Sequence, residues 1–497
     1  MAPSVPLPRR AVAAAALCAL FGSYPAAHAQ APQTVTVTAR TLPTAAVAGF
    51  GDTPLELAPL QAGIFGAPLL REAGVASLSG LARLDASVSD AYNSEGYWSA
   101  LTVRGFVIDN RSNYRRDGLP INAETAIGLQ NKERIEVLRG TSGIQAGTSS
   151  PGGLVNLVVK RPDGPRRDGW LEVREGGSVT AAVDLGERFG ADGALGLRLN
   201  ASASALRPPT RSADGSSHLL ALAADAQIGT DSLLQAEFET SRQSQPSVPA
   251  FSLLGDTLPD ARTVDPRTNL NNQPWSRPVV LRGDTASLRW QQRLAEDWRF
   301  SAHGAVQQLD SDDRVAFPFG CYDADADIYY ADRYCPDGRF DLYDYRSDGE
   351  RRRTEALELK VDGRARTAGV QHHVSTGVLF SRTRERHPRQ AFNYAGSGAI
   401  DGSVVVPESP ALTEENTHRD GRSTEFFLRD RMELSPRWSL WAGLRHTRLQ
   451  RESVRTDGTE AVSYDQSFTT PWLALSHQWD EATSVYLSGG EGVESDV

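Results

Sequence analysis

The sequence predicts a mainly β protein: a transmembrane antiparallel β-barrel of the 22-stranded type, incomplete here with about 13 strands, filled by an N-terminal α+β plug domain. Three observations carry this reading. From about Gly169 onward, apolar and polar residues alternate with a period of two. The alternating segments run about 11 to 15 residues, longer than soluble strands and enough to cross a bilayer at a tilt. Short turns alternate with long polar excursions, the arrangement of outer-membrane barrels with their long loops outside the cell. The stretch before the barrel is domain-sized, glycine-rich and without long alternation, which suits a globular cork.

Taken in order, residues 1–29 read as a signal peptide. Arg9-Arg10 precede the apolar run Ala11 to Phe21, and Ala27-His28-Ala29 supplies a small-x-small cleavage site. Residues 30–45 form a leader in which Thr34, Val35, Thr36, Val37 and Thr38 are β-branched. Such a segment favours extended backbone and can add as a strand to a partner sheet, or remain a disordered leader. The 62 acidic and 52 basic residues give a formal charge of −10, which argues against a nucleic-acid partner. No G-x-x-x-x-G-K-[ST], G-x-S-x-G or H-E-x-x-H motif occurs, so no enzyme is expected.

Residues 46–165 are expected to be the plug. "NKERIEVLRGTSGIQAGTSSPGGLVNLVVKRP", Asn131 to Pro162, sets glycines between apolar runs without the lysine of a phosphate loop. Gly140, Gly143, Gly147, Gly152 and Gly153 therefore read as positions of tight turning and close packing, with Pro151 fixing the last turn; an anion-binding nest is the alternative. Arg104 in "VRGF" and Arg139 in "VLRG" stand among apolar neighbours. If buried, each needs a carboxylate, or else meets carbonyls or water.

Residues 166–497 are expected to be the barrel. Arg282 to Leu294, Trp298 to Leu309, Glu355 to Arg366, Val370 to Arg384, Ser423 to Leu434 and Arg437 to Arg451 read as crossing strands. "AEDW", "DGRARTAG" and "SPRW" read as short turns, and Gln243 to Val280, Ser311 to Arg353 and Glu385 to Arg422 as long loops. Trp298, Trp438 and Trp441 adjoin the short turns, where an aromatic girdle or an ordinary core would place them. In an exported chain Cys321 and Cys335 are expected to pair, closing a loop worth roughly 3 kcal/mol. His372 and His373 point to opposite faces of one strand and cannot chelate together, so no metal site is expected.

"QTVTVTAR" (Gln33 to Arg40), "LTVRGFVIDNRSNYRRDGLPIN" (Leu101 to Asn122) and "IEVLRG" with "SSPGGLVNLVVKRP" together resemble the TonB-dependent outer-membrane receptors, specifically the ferric-siderophore branch. The resemblance spans nearly all of the mature chain. It implies an outer-membrane protein surrounded by lipid, with Thr34–Thr38 as the TonB box. The box would be grasped by the periplasmic domain of TonB and pulled by its inner-membrane energising complex. It implies a ferric siderophore as cargo and no cofactor, the iron being carried only within the ligand. It sets Arg104 and Arg139 against glutamates of the inner wall, for which Glu358 and Glu425 fall on the lumen-facing phase. It makes Tyr97, Trp98 and Gln145, then Asn93 and Arg115, the expected substrate contacts, with Tyr92 beside them. Haem, cobalamin, another metal chelate or an oligosaccharide is the alternative cargo. A 22-stranded wall would need about 200 further residues, so the chain is expected to be truncated at its C-terminus and unable to import alone.

Overall fold

The structure, a computed structural model, describes residues 49, 54–92, 94–260, 262, 264–481 and 483–495. The signal peptide, Thr34 to Thr38 and Asn93 lie outside the described residues. The described residues belong to one compact unit, Pro43–Val497.

The N-terminal part contains β1 (Gln61–Gly66), the short helix α1 (Ala67–Glu72), β2 (Val88–Asp90), β3 (Leu101–Val103), β4 (Phe106–Val107), β5 (Tyr114–Arg116), β6 (Leu119–Pro120), β7 (Lys132–Arg139) and β8 (Gly153–Val159). A five-stranded sheet runs β1-β7-β8-β5-β6, with β5 and β8 parallel and the other pairs antiparallel. Strand β8, "GLVNLVV", is apolar on both faces because both are covered. Its one polar residue, Asn156, is satisfied within the sheet: its amide donates to Glu136 at 2.9 Å and its oxygen accepts from the Gly118 N–H at 3.0 Å. Leu101, Val103, Ile135, Val137, Val155 and Leu157 form the centre of the plug core. Gly153, at φ 132°, needs its missing side chain, since a Cβ would stand 1.8 Å from the Leu138 carbonyl across the turn.

The barrel wall contains β9 (Arg166–Val173), β10 (Val179–Phe189), β11 (Leu195–Leu206), β12 (Gly215–Ile228), β13 (Ser232–Gln245), β14 (Val279–Ala295) and β15 (Trp298–Pro318). After the small hairpin β16 (Cys321–Asp323) and β17 (Ile328–Tyr330) come β18 (Arg339–Thr367), β19 (Val370–Arg386), β20 (Ala391–Ala399), β21 (Thr417–Glu433), β22 (Trp438–Arg455), β23 (Val462–Gln478) and β24 (Ser484–Gly490). These make a 14-stranded antiparallel sheet in chain order, with β20 branching off β18 and β9 and β24 as its edges. Leaving out the branch, thirteen strands form the wall, as the alternation predicts. Phe426 and Leu428 are about half exposed on the outer face, whereas Glu425, Phe427 and Arg429 are buried on the inner one. An apolar exterior and a polar interior are what hydrocarbon outside and a polar lumen inside select.

Three expectations need correction. The stretches read as long loops begin too early and end too late, because β15 runs to Pro318, β18 already starts at Arg339 and β21 at Thr417. Those strand ends rise beyond the apolar belt, so their outward residues are polar and hide the pattern. Within "DGRARTAG", β18 continues to Thr367, leaving only Ala368 and Gly369, both with positive φ, as the turn. Trp438 is exposed on the outer face, but Trp441 is buried inward with Ile144 of the plug and Ala474.

Cys321 and Cys335 are bonded, as expected, tying the β16–β17 hairpin to the start of β18. Replacing both by serine should cost that loop roughly 3 kcal/mol and raise its proteolytic cleavage rate, while the wall keeps its heat-resistant migration on SDS gels. Leu428→Arg, facing lipid, should destabilise insertion into vesicles by ~2–4 kcal/mol relative to wild type, measured by urea titration of refolding.

Candidate functional site

The plug is held to the wall by buried charge. Arg116, at the end of β5, donates to Glu237 and Glu239 of β13, reaching the latter at 2.7 Å. Lys132, at the start of β7 and fully buried, donates to the same Glu239 at 2.7 Å and to the Asn131 side-chain oxygen at 2.5 Å. The Asn131 amide gives Glu239 a third donor at 2.5 Å. Burial, with Arg116 close by, pushes the Lys132 ammonium down to about 8. Its charge survives at neutral pH because Glu239 faces it. A second set joins Lys160, just after β8, to Asp184 of β10 at 2.9 Å and Asn200 of β11 at 3.3 Å. A third pairs Glu124 of the plug with Arg352 of β18.

The predicted arginine pairings differ from these. Arg104 is exposed and donates to Gln61, and Arg139 pairs with Asp85, so both stay within the plug. Arg104 occupies the β3–β4 turn, whose backbone turns it outward, and β7 directs Arg139 toward the loop before β2. Glu425 does lie inside the wall, but its partner is Arg445 of the adjacent β22. Glu358 interacts through charge with Arg289 and Arg429 of the wall. The arginines that meet buried glutamates are therefore not the ones flanked by glycine in the plug motifs.

The glycine-rich loop 140–152 contacts the wall through its backbone. The Ile144 carbonyl accepts from Arg429 at 2.6 Å and Arg445 at 3.1 Å, and the Gly143 carbonyl accepts from the Thr470 hydroxyl at 2.7 Å. A Cβ on Gly147 would stand 2.8–2.9 Å from Thr447 and Glu425, so this residue lets the loop lie against the wall. Gln145 sits in this loop, half-buried.

At the long-loop end, Tyr97 stacks on Trp98 with ring centroids 3.8 Å apart, and Tyr92 tilts against Tyr97 at 6.0 Å. Tyr97 and Trp98 pack on Val279, Leu281, Val315 and Tyr345 of the wall, and the Arg352 guanidinium lies 5.5 Å from the Trp98 ring centre. Tyr97 is thus largely buried, which raises its phenol above the ordinary range, while Tyr92 remains about half exposed. Ser94 and Glu95 hydrogen-bond Val248 of the loop before β14, fixing this apex under that loop. Beside it opens a cavity of about 660 Å³, lined by Ser77, Tyr97 and Thr125 of the plug and Ser202, Gln243 and Gln245 of the wall. Hydroxyls and amides there suit an oxygen-rich ligand. Arg115 is elsewhere, beside Arg111, Arg419 and Glu425 in a smaller space of about 100 Å³, its guanidinium donating to the Ser112 and Tyr114 carbonyls. The structure brings Tyr97, Trp98 and Tyr92 together and leaves Gln145 and Arg115 on other faces of the plug.

Above this apex, Phe317, Phe319, Tyr343, Phe392 and Tyr394 form a continuous ring cluster, with Tyr343 and Phe392 stacked at 4.6 Å. It stands on the parts of β15, β18 and β20 that rise highest. Among the described residues no group of three histidine, cysteine or carboxylate side chains could hold a metal ion.

A corked wall of this kind matches known proteins. A family model described as "TonB dependent receptor-like, beta-barrel" matches residues 222–495, and one described as "TonB-dependent Receptor Plug Domain" matches residues 57–154. The chain belongs to the TonB-dependent receptor family. This receptor is 24% identical over 426 residues to the ferric-pyoverdine receptor of Pseudomonas putida, covering 80% of this chain and 48% of that protein. To the ferrichrome outer membrane transporter and phage receptor of Escherichia coli K12 it is 24% identical over 309 residues, 57% of this chain and 40% of that one. The receptor spans about half the length of the curated relatives it matches. In fold it is similar to the ferric preacinetobactin receptor of Acinetobacter baumannii, with a TM-score of 0.76 at 17% identity over 88% of this chain and 64% of that one.

Replacing Glu239 by alanine should leave Lys132 and Arg116 poorly compensated and loosen the receptor's plug by ~3–5 kcal/mol. Arg104→Ala should change it by less than ~1 kcal/mol. Denaturant-dependent protease access to β7 measures both.

Proposed function

We propose that this receptor binds ferric siderophores at the long-loop end of its plug and imports them across the outer membrane with energy delivered through TonB. The observation that carries this reading is the plug itself, seated in the wall and fastened there by buried ion pairs. Such a cork opens only when work is done on it. No nucleotide motif supplies that work, so the leader Thr34–Thr38 is the natural handle for a periplasmic partner. TonB's periplasmic domain would add to it as a strand.

On the plug the ligand would meet exposed Tyr92, backed by the stacked Tyr97–Trp98 pair, with the hydroxyl- and amide-lined cavity beside them. Aromatic faces and neutral polar groups favour a bulky chelate whose own oxygens saturate the iron. The names of the relatives, receptors for ferric pyoverdine, ferrichrome and ferric preacinetobactin, point the same way. Haem or cobalamin is the competing cargo, and the same titration separates them.

Purified receptor in detergent should show quenching of tryptophan fluorescence by at least one ferric hydroxamate, catecholate or mixed siderophore, at lower concentration than by haemin or cyanocobalamin. Trp98→Phe should remove much of the quenching and Tyr92→Ala should weaken binding about tenfold, an anchor's worth of ~1.4 kcal/mol. Tighter binding of haemin or cyanocobalamin than of every siderophore would replace the cargo assignment. Deleting Thr34–Thr38 should abolish capture by the periplasmic domain of TonB and leave siderophore binding unchanged.

A further inference from the structure

The inward side of β15 carries a buried acid that no cation meets among the described residues. Ser311, Asp313 and Val315 face the interior and are each more than nine-tenths buried. Asp312 and Arg314, between them, face outward and pair with Arg282 at 3.0 Å and Asp348 at 2.5 Å. Ion pairs on the outer face at this height place it above the hydrocarbon. Asp313 stands directly opposite Ser347 of β18. Its carboxyl hydrogen-bonds the Tyr97 hydroxyl of the plug apex, and its Oδ1 is shielded from solvent without a partner.

The surroundings disfavour a charge there. On β14, Val279 and Leu281 are buried and apolar. On β18, Tyr345 lies beside Asp313, with Asp348 and Glu350 close by. Glu350 is fully engaged, accepting from Ser311 at 3.0 Å, Ser347 at 2.5 Å and Arg352 at 2.8 Å. Arg352 is divided between Glu350 and Glu124 of the plug, so it does not serve Asp313. Just past β19, His387 lies 3.7 Å from Glu350, and burial pushes its imidazole down to about 4. Burial, with Glu350 and Asp348 nearby, pushes the Asp313 carboxyl up to about 7. The Tyr97 and Tyr345 phenols are raised as well and stay neutral.

We propose that Asp313 is a proton-operated latch on the plug: as a neutral acid it holds the Tyr97–Trp98 apex against β15 and β18, and as an anion it releases that apex. Tyr97 covers the carboxyl, its ring stacked on Trp98 and its hydroxyl bonded to Asp313. An ionised Asp313 needs donors on both oxygens, and beside the Glu350 anion it has one phenol. Water admitted by a displaced apex supplies the rest. In water the carboxyl would titrate near the ordinary ~4, and under the seated apex it titrates near 7. Seating is therefore firmest below about pH 4, weakens as pH rises to about 7 and changes no further above it. Protons set how firmly the apex is closed before any ligand arrives, so the latch is independent of the cargo the receptor takes.

The test uses the purified full chain in detergent, without ligand, and reads acrylamide quenching of Trp98 as the difference between the receptor and Trp98→Phe, from about pH 4 to about pH 8. Quenching in wild type should rise severalfold up to about pH 7 and stay level above it. Asp313→Asn, uncharged and of the same shape, should hold Trp98 at its low-pH accessibility throughout. Asp313→Ala should also be flat, but more quenched at every pH because the contact with Tyr97 is gone. Glu95→Gln and His387→Gln, which remove the displaced titrations of two other groups near the apex, should keep the wild-type profile. Heat-resistant migration on SDS gels establishes that each variant is folded. A flat wild-type profile, a wild-type profile in both Asp313 variants, or a profile abolished by Glu95→Gln or His387→Gln would each overturn the proposal. Every reading is taken without siderophore, so its failure and failure of the cargo assignment are separate results.

Discussion

Everything above the periplasmic end depends on Glu239 being buried as an anion. A carboxylate in a water-poor wall is tolerable only if several donors face it, and the plug supplies three: Arg116, Lys132 and Asn131. The dependence runs both ways, because Lys132 would be just as costly without Glu239. Neither partner can leave without stranding the other, so plug and wall are coupled more by the cost of separating them than by the net strength of the contact.

This asymmetry distinguishes the two ends of the plug. Toward β13 and β10 it is fastened by charges that gain nothing from partial movement. Toward the long loops the Glu124–Arg352 pair stands beside Trp98, but most of the contact with the wall there is through rings, hydroxyls and amides, which exchange at low cost. A ligand settling, as proposed, among Tyr92, Tyr97 and the cavity beside them would leave the ion pairs to β13 and β10 in place. Displacing the plug requires a force on the chain itself.

The barrel was legible because its constraint is periodic. Hydrocarbon on one side and a polar interior on the other impose alternation on every strand, and thirteen wall strands could be counted from it. It failed where the constraint lapses, at the tops of β15, β18 and β21, whose outward residues face headgroups and water. The disulfide was legible from export and cysteine number alone. The plug–barrel attachment was not, since the apolar neighbours of Arg104 and Arg139 point to those two arginines, which pair within the plug instead. The signal that would have found it lies in "LLQAEFETSRQ", where Glu237 and Glu239 share the inward phase around outward Phe238. Two carboxylates on the inner phase of one strand demand cations, and "YRRDG" and "NKERIEV" carry them.

The glycine-rich loop illustrates why local sequence alone underdetermines function. Its composition excluded a phosphate loop with lysine but left open what the glycines approach. The answer is a surface contributed by β21, β22 and β23, some three hundred residues away in the chain, whose Arg429, Arg445 and Thr470 bond to the loop's carbonyls. Here glycine is required because the neighbour is a wall with its own buried charges. A side chain at Gly147 would crowd Thr447 and the Glu425 carboxylate that pairs with Arg445. The loop is consequently part of how the wall's charges are arranged. Any movement of it changes the surroundings of the Glu425–Arg445 pair, which gives the plug a further point of electrostatic coupling to the barrel.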